Sequence, residues 1–119
     1  MGDKLQLDEI IDLAKLEVAA GKGALENEVT GGYSGDLLSD VMANADKGSV
    51  WLTIQGHQNI VAVGVLKELV AIILVNGRVP DEDTKTKAEE EGIPILLSAL
   101  PAYQLAGRLY AAGIGKIVG

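Results

Sequence analysis

The sequence predicts a three-layer α/β/α fold, with helices on both faces of a mostly parallel sheet. Three observations carry that prediction. Short apolar runs alternate with helix-like segments along the chain, the order expected when strands and helices take turns. Two of the apolar runs, 49–54 and 70–75, flank residues 59–68, a segment long enough to cross over and bring the second strand parallel to the first. The 119-residue chain is also 48% hydrophobic yet has no Phe, one Trp and three Tyr, so its core is aliphatic, as in strands covered on both faces. That length corresponds to a single domain, 1–119, with a core of modest size.

Taken in order, residues 5–16 carry apolar side chains at roughly helical spacing, and Asp8 and Glu9 suit the positive end of a helix dipole. Residues 17–20 read as a short strand closed by a turn at Gly21, Lys22 and Gly23, and residues 28–33 as another strand. The glycine-rich stretch 31–35 reads as a loop feeding a helix over 36–45, with an apolar face of Leu37, Leu38, Val41, Met42 and Ala45 and a stop at Gly48. The middle of the crossover, 60–66, is rich in β-branched residues and resembles a strand in isolation. It is assigned as helix because two parallel neighbours need a crossover, and Gly64 would permit close helix–sheet contact. Pro80 and the acids at 81–83 open the next helix, which stops at Gly92 before Ile93 and Pro94. Residues 95–97 form a short buried strand, and Pro101 opens a last helix running to Ala112.

Composition narrows the chemistry. Without cysteine there is no disulfide, iron–sulfur cluster or thiolate zinc site, and with His57 as the sole histidine there is no multi-histidine metal centre. No cofactor is implied. No charged-then-apolar leader opens the chain and no apolar run reaches spanning length, so the expectation is a soluble, cytoplasmic protein. A formal charge of −7 argues against non-specific binding to nucleic acid or anionic membrane, which requires excess Lys and Arg, and leaves room for a small anion in a local basic pocket.

The parallel arrangement locates a candidate site. Loops that follow adjacent parallel strands emerge on one edge of the sheet, where open α/β sheets bind ligands. Gln55, Gly56, His57, Gln58 and Asn59 follow the first central strand, and Asn76, Gly77 and Arg78 follow the second. The first loop contains no acid in an otherwise acidic chain and leads into a helix N-terminus, where backbone N–H groups are free. Asn59 is placed to cap that helix, and Arg78 offers a planar fork for phosphate or carboxylate. Backbone N–H groups and Arg78 would hold the anion, with Gln58, Asn59 and Asn76 reading its hydrogen-bonding edges. The plainer readings are a loop histidine for His57 and a glycine turn with Arg78 paired to Asp81, Glu82 or Asp83.

Other motifs carry less. The stretch 31–36 lacks the Gly-Lys-Ser/Thr ending of a P-loop and reads as a tight turn plus helix cap, with Asp36 opposing any phosphate. Lys85, Lys87 and the acids at 89–91 read as a solvated helix face, and Trp51 as core. Tyr103 and Tyr110 share a helix face and suit packing, a pocket rim or a dimer contact. Ser98 and Tyr103 flank the end of the last strand.

From Leu13 to Leu109 the chain resembles the DRTGG domain family. The stretches TIQGHQNIVAV and IILVNGRVPDED, followed by EEEGIPILLSALPAYQLAGRLY, reproduce that family's order of strand, loop, helix, strand, turn, Pro and acidic helix start. The signature itself differs. His57 and Gln58 stand where the family has Asp-Arg, and Val75, Asn76 and Gly77 replace Thr-Gly-Gly, the pattern of a divergent, stand-alone branch. The resemblance implies a fold like the N-terminal domain of HPr kinase/phosphorylase. It also implies the role of a regulatory or ligand-sensing accessory module that accompanies catalytic domains, as beside phosphotransacetylases and in CBS-containing pyrophosphatases. The expectation is therefore a homodimeric, non-catalytic module for a small anionic metabolite or nucleotide. The alternative is an interaction protein docking on a partner enzyme. A phosphotransfer enzyme is suggested only by the family's company, since no P-loop, metal-ligand cluster or nucleophile–base pair is legible.

Overall fold

The computed structural model describes residues 5–115. It shows the expected α/β/α architecture. In chain order the elements are β1 (Leu5–Gln6), α1 (Leu7–Ala14), β2 (Glu17–Ala20), a 3₁₀ turn (Lys22–Ala24), β3 (Glu28–Val29) and β4 (Gly31–Ser34). They continue with α2 (Leu38–Asn44), β5 (Ser49–Thr53), α3 (Asn59–Leu66), β6 (Ala71–Leu74), α4 (Glu82–Glu91), β7 (Ile95–Leu97) and α5 (Ala102–Ala111). The main sheet has the order β2-β7-β6-β5-β4; β4, β5, β6 and β7 run parallel and β2 is antiparallel to β7.

Alternation along the strands divides the core in two. Val50 and Leu52 of β5, with Ala71 and Ile73 of β6 and Val75 just beyond it, point toward α1 and α5 and pack with Leu7, Ile10, Leu105 and Leu109. Trp51, Ile72, Leu74 and Ile95 point the other way and pack with Val41, Ile60, Val61, Val63 and Ala88 of α2, α3 and α4. Every residue of β5 and β6 is buried, as expected of central parallel strands. Trp51 is fully buried, and its indole N–H donates to the carbonyl of Gly35 at 2.8 Å.

The crossover is helical. Ile60, Val61, Val63 and Gly64 of α3 are buried between α2, α4 and the sheet, so burial overrides weak helix propensity, while Ala62, Val65 and Leu66 face outward. Gly64 allows this approach: a Cβ there would sit 2.5 Å from Ile93 Cδ1 and 3.2 Å from Ile72 Cδ1. At the end of α4, Gly92 takes a left-handed φ of 72° and its N–H closes on Ala88 at 2.9 Å. The charged face of α4 carries ion pairs Lys85–Glu82 and Lys87–Glu91, the solvated kind that adds little stability.

Four expectations are corrected. The first helix starts at Leu7, because Leu5 and Gln6 pair antiparallel with Val29 and Glu28 in a separate small sheet. The strand expected over 28–33 is two strands in two sheets, broken at Thr30. The stretch 31–35, expected as a loop, is mostly β4, in parallel register with Ser49 to Leu52. Glycine is unfavourable in a strand on propensity grounds, but β4 is an edge strand held along its length by β5. The second helix begins at Leu38, and Leu37, expected on its apolar face, is 68% exposed at the cap position.

Candidate functional site

The sheet delivers the 55–59 and 76–78 loops to the same edge, since β5 and β6 are parallel neighbours. They are joined there by the segment that follows the second loop. Gly56 lies against it so closely that a Cβ would meet the Val79 carbonyl oxygen at 2.8 Å. The Gly56 carbonyl accepts from the Asp81 N–H at 3.0 Å and from the buried Thr84 hydroxyl at 2.6 Å. Thr84 was not legible as a site-building residue; its signal is a polar, β-branched side chain on the inner face of a charged helix.

The Asn76–Gly77 corner is a mirror-image tight turn. Both residues have positive φ, 63° and 71°, and the Arg78 N–H closes on the Val75 carbonyl at 3.1 Å. Asn tolerates this conformation better than most side chains, and Gly adopts it freely. The Asn76 N–H donates to Leu100 and the Gly77 N–H to Ser98, which ties the turn to the β7–α5 connection. All three turn amides are therefore engaged within the protein, so the part of this loop available to an anion is the exposed Arg78 side chain. Its guanidinium makes no ion pair with Asp81, Glu82 or Asp83 among the described residues.

In the first loop, His57 acts as a local cap. Its Nδ1 accepts from the Asn59 N–H at 3.2 Å and its carbonyl from the Ile60 N–H at 3.1 Å. Asn59, expected as the cap, is instead the first helical residue; the cap position falls at Gln58, whose side chain makes no capping bond. Gln55 is anchored through its N–H to Thr53 Oγ1 and through its side-chain amide to the Asp36 carbonyl. The amides of Gly56, His57 and Gln58 donate to no group among the described residues.

Asp36, expected to open the second helix, lies before it and takes a different role. Its Oδ1 accepts from the buried Thr53 hydroxyl at 2.8 Å and from the Ile54 N–H at 2.9 Å, clamping the start of the 55–59 loop to the β4–α2 corner. The carboxylate thus sits at the end of β5, so the part of this edge suited to an anion lies on the Gln58 and Arg78 side.

A second concave region lies on the flank, between β4 and α5. This cleft of about 540 Å³ is lined by Gly32, Tyr33, Ser34, Leu52, Tyr103, Gly107 and Tyr110 among others. It falls within the usual ligand-pocket range of roughly 300–1,000 Å³, and among the described residues no charged side chain lines it. The packing expectation for the two α5 tyrosines is corrected: Tyr103 is 89% and Tyr110 48% exposed, because α5 overhangs the edge of the sheet at β4. The Tyr33 hydroxyl donates to Asp40, which pushes its pKa up from the usual 10.0, with burial and the carboxylate charge adding and Asn44 opposing. Ser98, at the end of β7, accepts from the Leu100 N–H through Oγ.

Neither a family model nor a curated protein matches this chain. Among solved structures it is similar to the CBS and DRTGG domains of the regulatory region of Clostridium perfringens pyrophosphatase, solved in complex with the activator diadenosine tetraphosphate. The TM-score is 0.69 at 12% identity, over 87% of this chain and 45% of that one. This chain thus spans less than half the length of that structure. At such identity the likeness is one of fold, and a DRTGG-like fold is what it supports.

Proposed function

We propose that this chain is a non-catalytic regulatory module that senses a small anionic ligand, a nucleotide or phosphorylated metabolite, at the C-terminal edge of its sheet. The observation that carries the reading is that, among the described residues, the Arg78 guanidinium has no ion-pair partner and lies on the same edge as the 56–58 amides, which have no acceptor there. Arg78 would hold the negative group, with Gln55, Gly56, His57, Gln58 and Asn59 on one side and Asn76 and Gly77 on the other. Gln58, Asn59 and Asn76 present the exposed amide side chains that would read the rest of the ligand. Support also comes from the fold: the similar Clostridium perfringens structure is a regulatory region bound to a nucleotide activator. His57 is turned to its own helix start, which suits a recognition loop better than a catalytic one. The sequence resemblance to the HPr kinase/phosphorylase N-terminal domain and a cytoplasmic location belong to this same reading.

The test is a thermal-shift series with nucleotides and phosphorylated metabolites on the wild-type chain and on Arg78→Ala. A ligand at 100 times its dissociation constant stabilises by about 2.7 kcal/mol through mass action. The expected result is a raised melting temperature that disappears in the variant. No shift with any of these anions, or shifts that survive in Arg78→Ala, would remove the site.

A second reading is a self-associating interaction protein that docks on a partner enzyme. The exposed tyrosines of α5 favour it, because singly exposed apolar groups are common but an aromatic pair beside an open cleft is a recognised feature of interfaces.

A further inference from the structure

The edge that carries Arg78 has a second pole. Three parallel strands end there in the order β6, β5, β4. Arg78 follows β6, the amides of residues 56–58 follow β5, and Asp36 follows β4. The guanidinium and the carboxylate are therefore rooted two strand spacings apart, about 9–10 Å. Both poles are tied to the loop between them. Gln55 Nε2 donates to the Asp36 carbonyl at 3.0 Å, and the Gly56 carbonyl accepts from the Asp81 N–H, just beyond Arg78. Asp36 itself is only half used. Thr53 Oγ1 accepts the Gln55 N–H and gives its own hydrogen to Asp36 Oδ1, which also takes the Ile54 N–H. Two donors on one oxygen fix the plane of the carboxylate. Oδ2 receives no hydrogen bond among the described residues, and the residue is exposed. The other carboxylate near the end of β4 differs, because Tyr33 occupies Oδ2 of Asp40 and Asn44 its Oδ1. Asp36 is thus an oriented acceptor with capacity to spare.

We infer that Asp36 Oδ2 accepts hydroxyl groups of the ligand whose negative group Arg78 holds. The ligand is then a phosphorylated sugar or nucleotide, bound with its phosphate toward β6 and its neighbouring hydroxyls toward β4. This rests on the anion-sensing reading above and names the class of anion.

Charge sets the direction of binding. A carboxylate repels a phosphate and accepts only from donors, so the two ends of one ligand must differ as the two poles do. Inorganic pyrophosphate brings only more negative charge to Asp36. An amino acid would satisfy both poles in kind, but its ammonium and carboxylate share one carbon and do not span two strand spacings. In a ribose 5-phosphate unit the sugar ring separates the phosphate from the 2′ and 3′ hydroxyls, which supplies the reach. The 56–58 amides lie between the poles, where the phosphate oxygens nearest the sugar would fall. Bonds from hydroxyls to a carboxylate are charge-assisted, and a site built to receive a hydroxyl discriminates strongly against an analogue that lacks it. Because Thr53, Ile54 and Gln55 hold Asp36 in place, no ordering of its side chain is left for the ligand to bring about.

The test is calorimetric titration of the full chain, and of Asp36→Asn and Arg78→Ala, with AMP, 2′,3′-dideoxy-AMP, ribose 5-phosphate and inorganic pyrophosphate. Asparagine keeps an oxygen for Thr53 and Ile54 and replaces Oδ2 with a donor of the same size. The wild type is expected to bind AMP about tenfold more tightly than the dideoxy analogue, the scale of one hydrogen bond to a charged group. Asp36→Asn should bring the two nucleotides within about twofold of each other and leave pyrophosphate binding unchanged. Ribose 5-phosphate binding as tightly as AMP, or AMP more tightly, both support the inference and tell a sugar phosphate from a nucleotide. A wild type indifferent to the missing hydroxyls, a preference that survives Asp36→Asn, or binding of pyrophosphate alone would each overturn it and leave the anion site standing. The first of these needs no variant, so it decides even where Asp36→Asn fails to fold. Binding undiminished in Arg78→Ala, or none with any of the four probes, would instead remove the anion site, and this inference with it.

Discussion

At the C-terminal edge of the sheet, polar groups are abundant and most already have partners within the chain. Asp36 receives two donors, Gly56 O receives two more, and the Asn76–Arg78 turn closes on itself and on the β7–α5 connection. On the β4–α5 flank the reverse holds. Polar side chains are few, yet a strand edge and two tyrosines stand open to water. The difference teaches that a polar loop is not by that fact a binding loop. Hydrogen bonds within the chain organise the edge and leave only Arg78, a few amides and some polar side-chain atoms over, whereas the flank is left with area and backbone rather than charge.

Substitutions can sharpen or break this contrast. The largest effect is expected at Gly56→Ala, where the new methyl meets the Val79 carbonyl and disturbs both bonds to the Gly56 oxygen. It should lower stability by about 3 kcal/mol, the upper range for overpacking, measured by denaturant unfolding. A change below 0.5 kcal/mol, about the spread of neutral surface substitutions, would mean that the two loops are not rigidly joined. Asp36→Ala comes next. It leaves the buried Thr53 hydroxyl without its acceptor and should cost about 2 kcal/mol, the range for bonds to a charged group. The expected accompaniment is faster amide exchange at Ile54 and Gln55, with β6 unaffected.

The smallest effect concerns the flank and is read against pH. The hydrogen bond to Asp40 holds the Tyr33 proton above its usual value of 10.0. Its stabilisation is therefore complete below pH 10 and disappears as pH climbs through the raised value. Tyr33→Phe should lower stability modestly near neutrality and flatten that alkaline decline, so that wild type and variant converge at high pH. An unchanged alkaline slope in the variant would assign the decline to other groups.

Much of the fold was legible because it follows from local rules and burial. The apolar runs of β5 and β6, the acidic opening and glycine stop of α4, and Pro101 before α5 mark their elements directly. Even α3, ambiguous by periodicity, follows once two parallel strands must be connected. The edge that holds the candidate site was legible for the same reason, since parallel strands place their downstream loops together. Which groups remain free at that edge was not legible. Nothing in the sequence marks Asp36 as the partner of Thr53, or Thr84 as the partner of Gly56, residues 17 and 28 positions apart.

The sequence by itself determined the layers, the parallel centre and the positions of the two loops, because hydrophobic period, helix stops and crossover length are properties of contiguous residues. Tertiary structure alone decided that Gly-Gly-Tyr-Ser is an edge strand rather than a loop, that His57 Nδ1 receives the Asn59 N–H, and that Tyr103 and Tyr110 face water. Each depends on what lies on the other side of a group. That is set by the order of strands in the sheet and by where α5 ends relative to it, neither of which is written in any one stretch of chain.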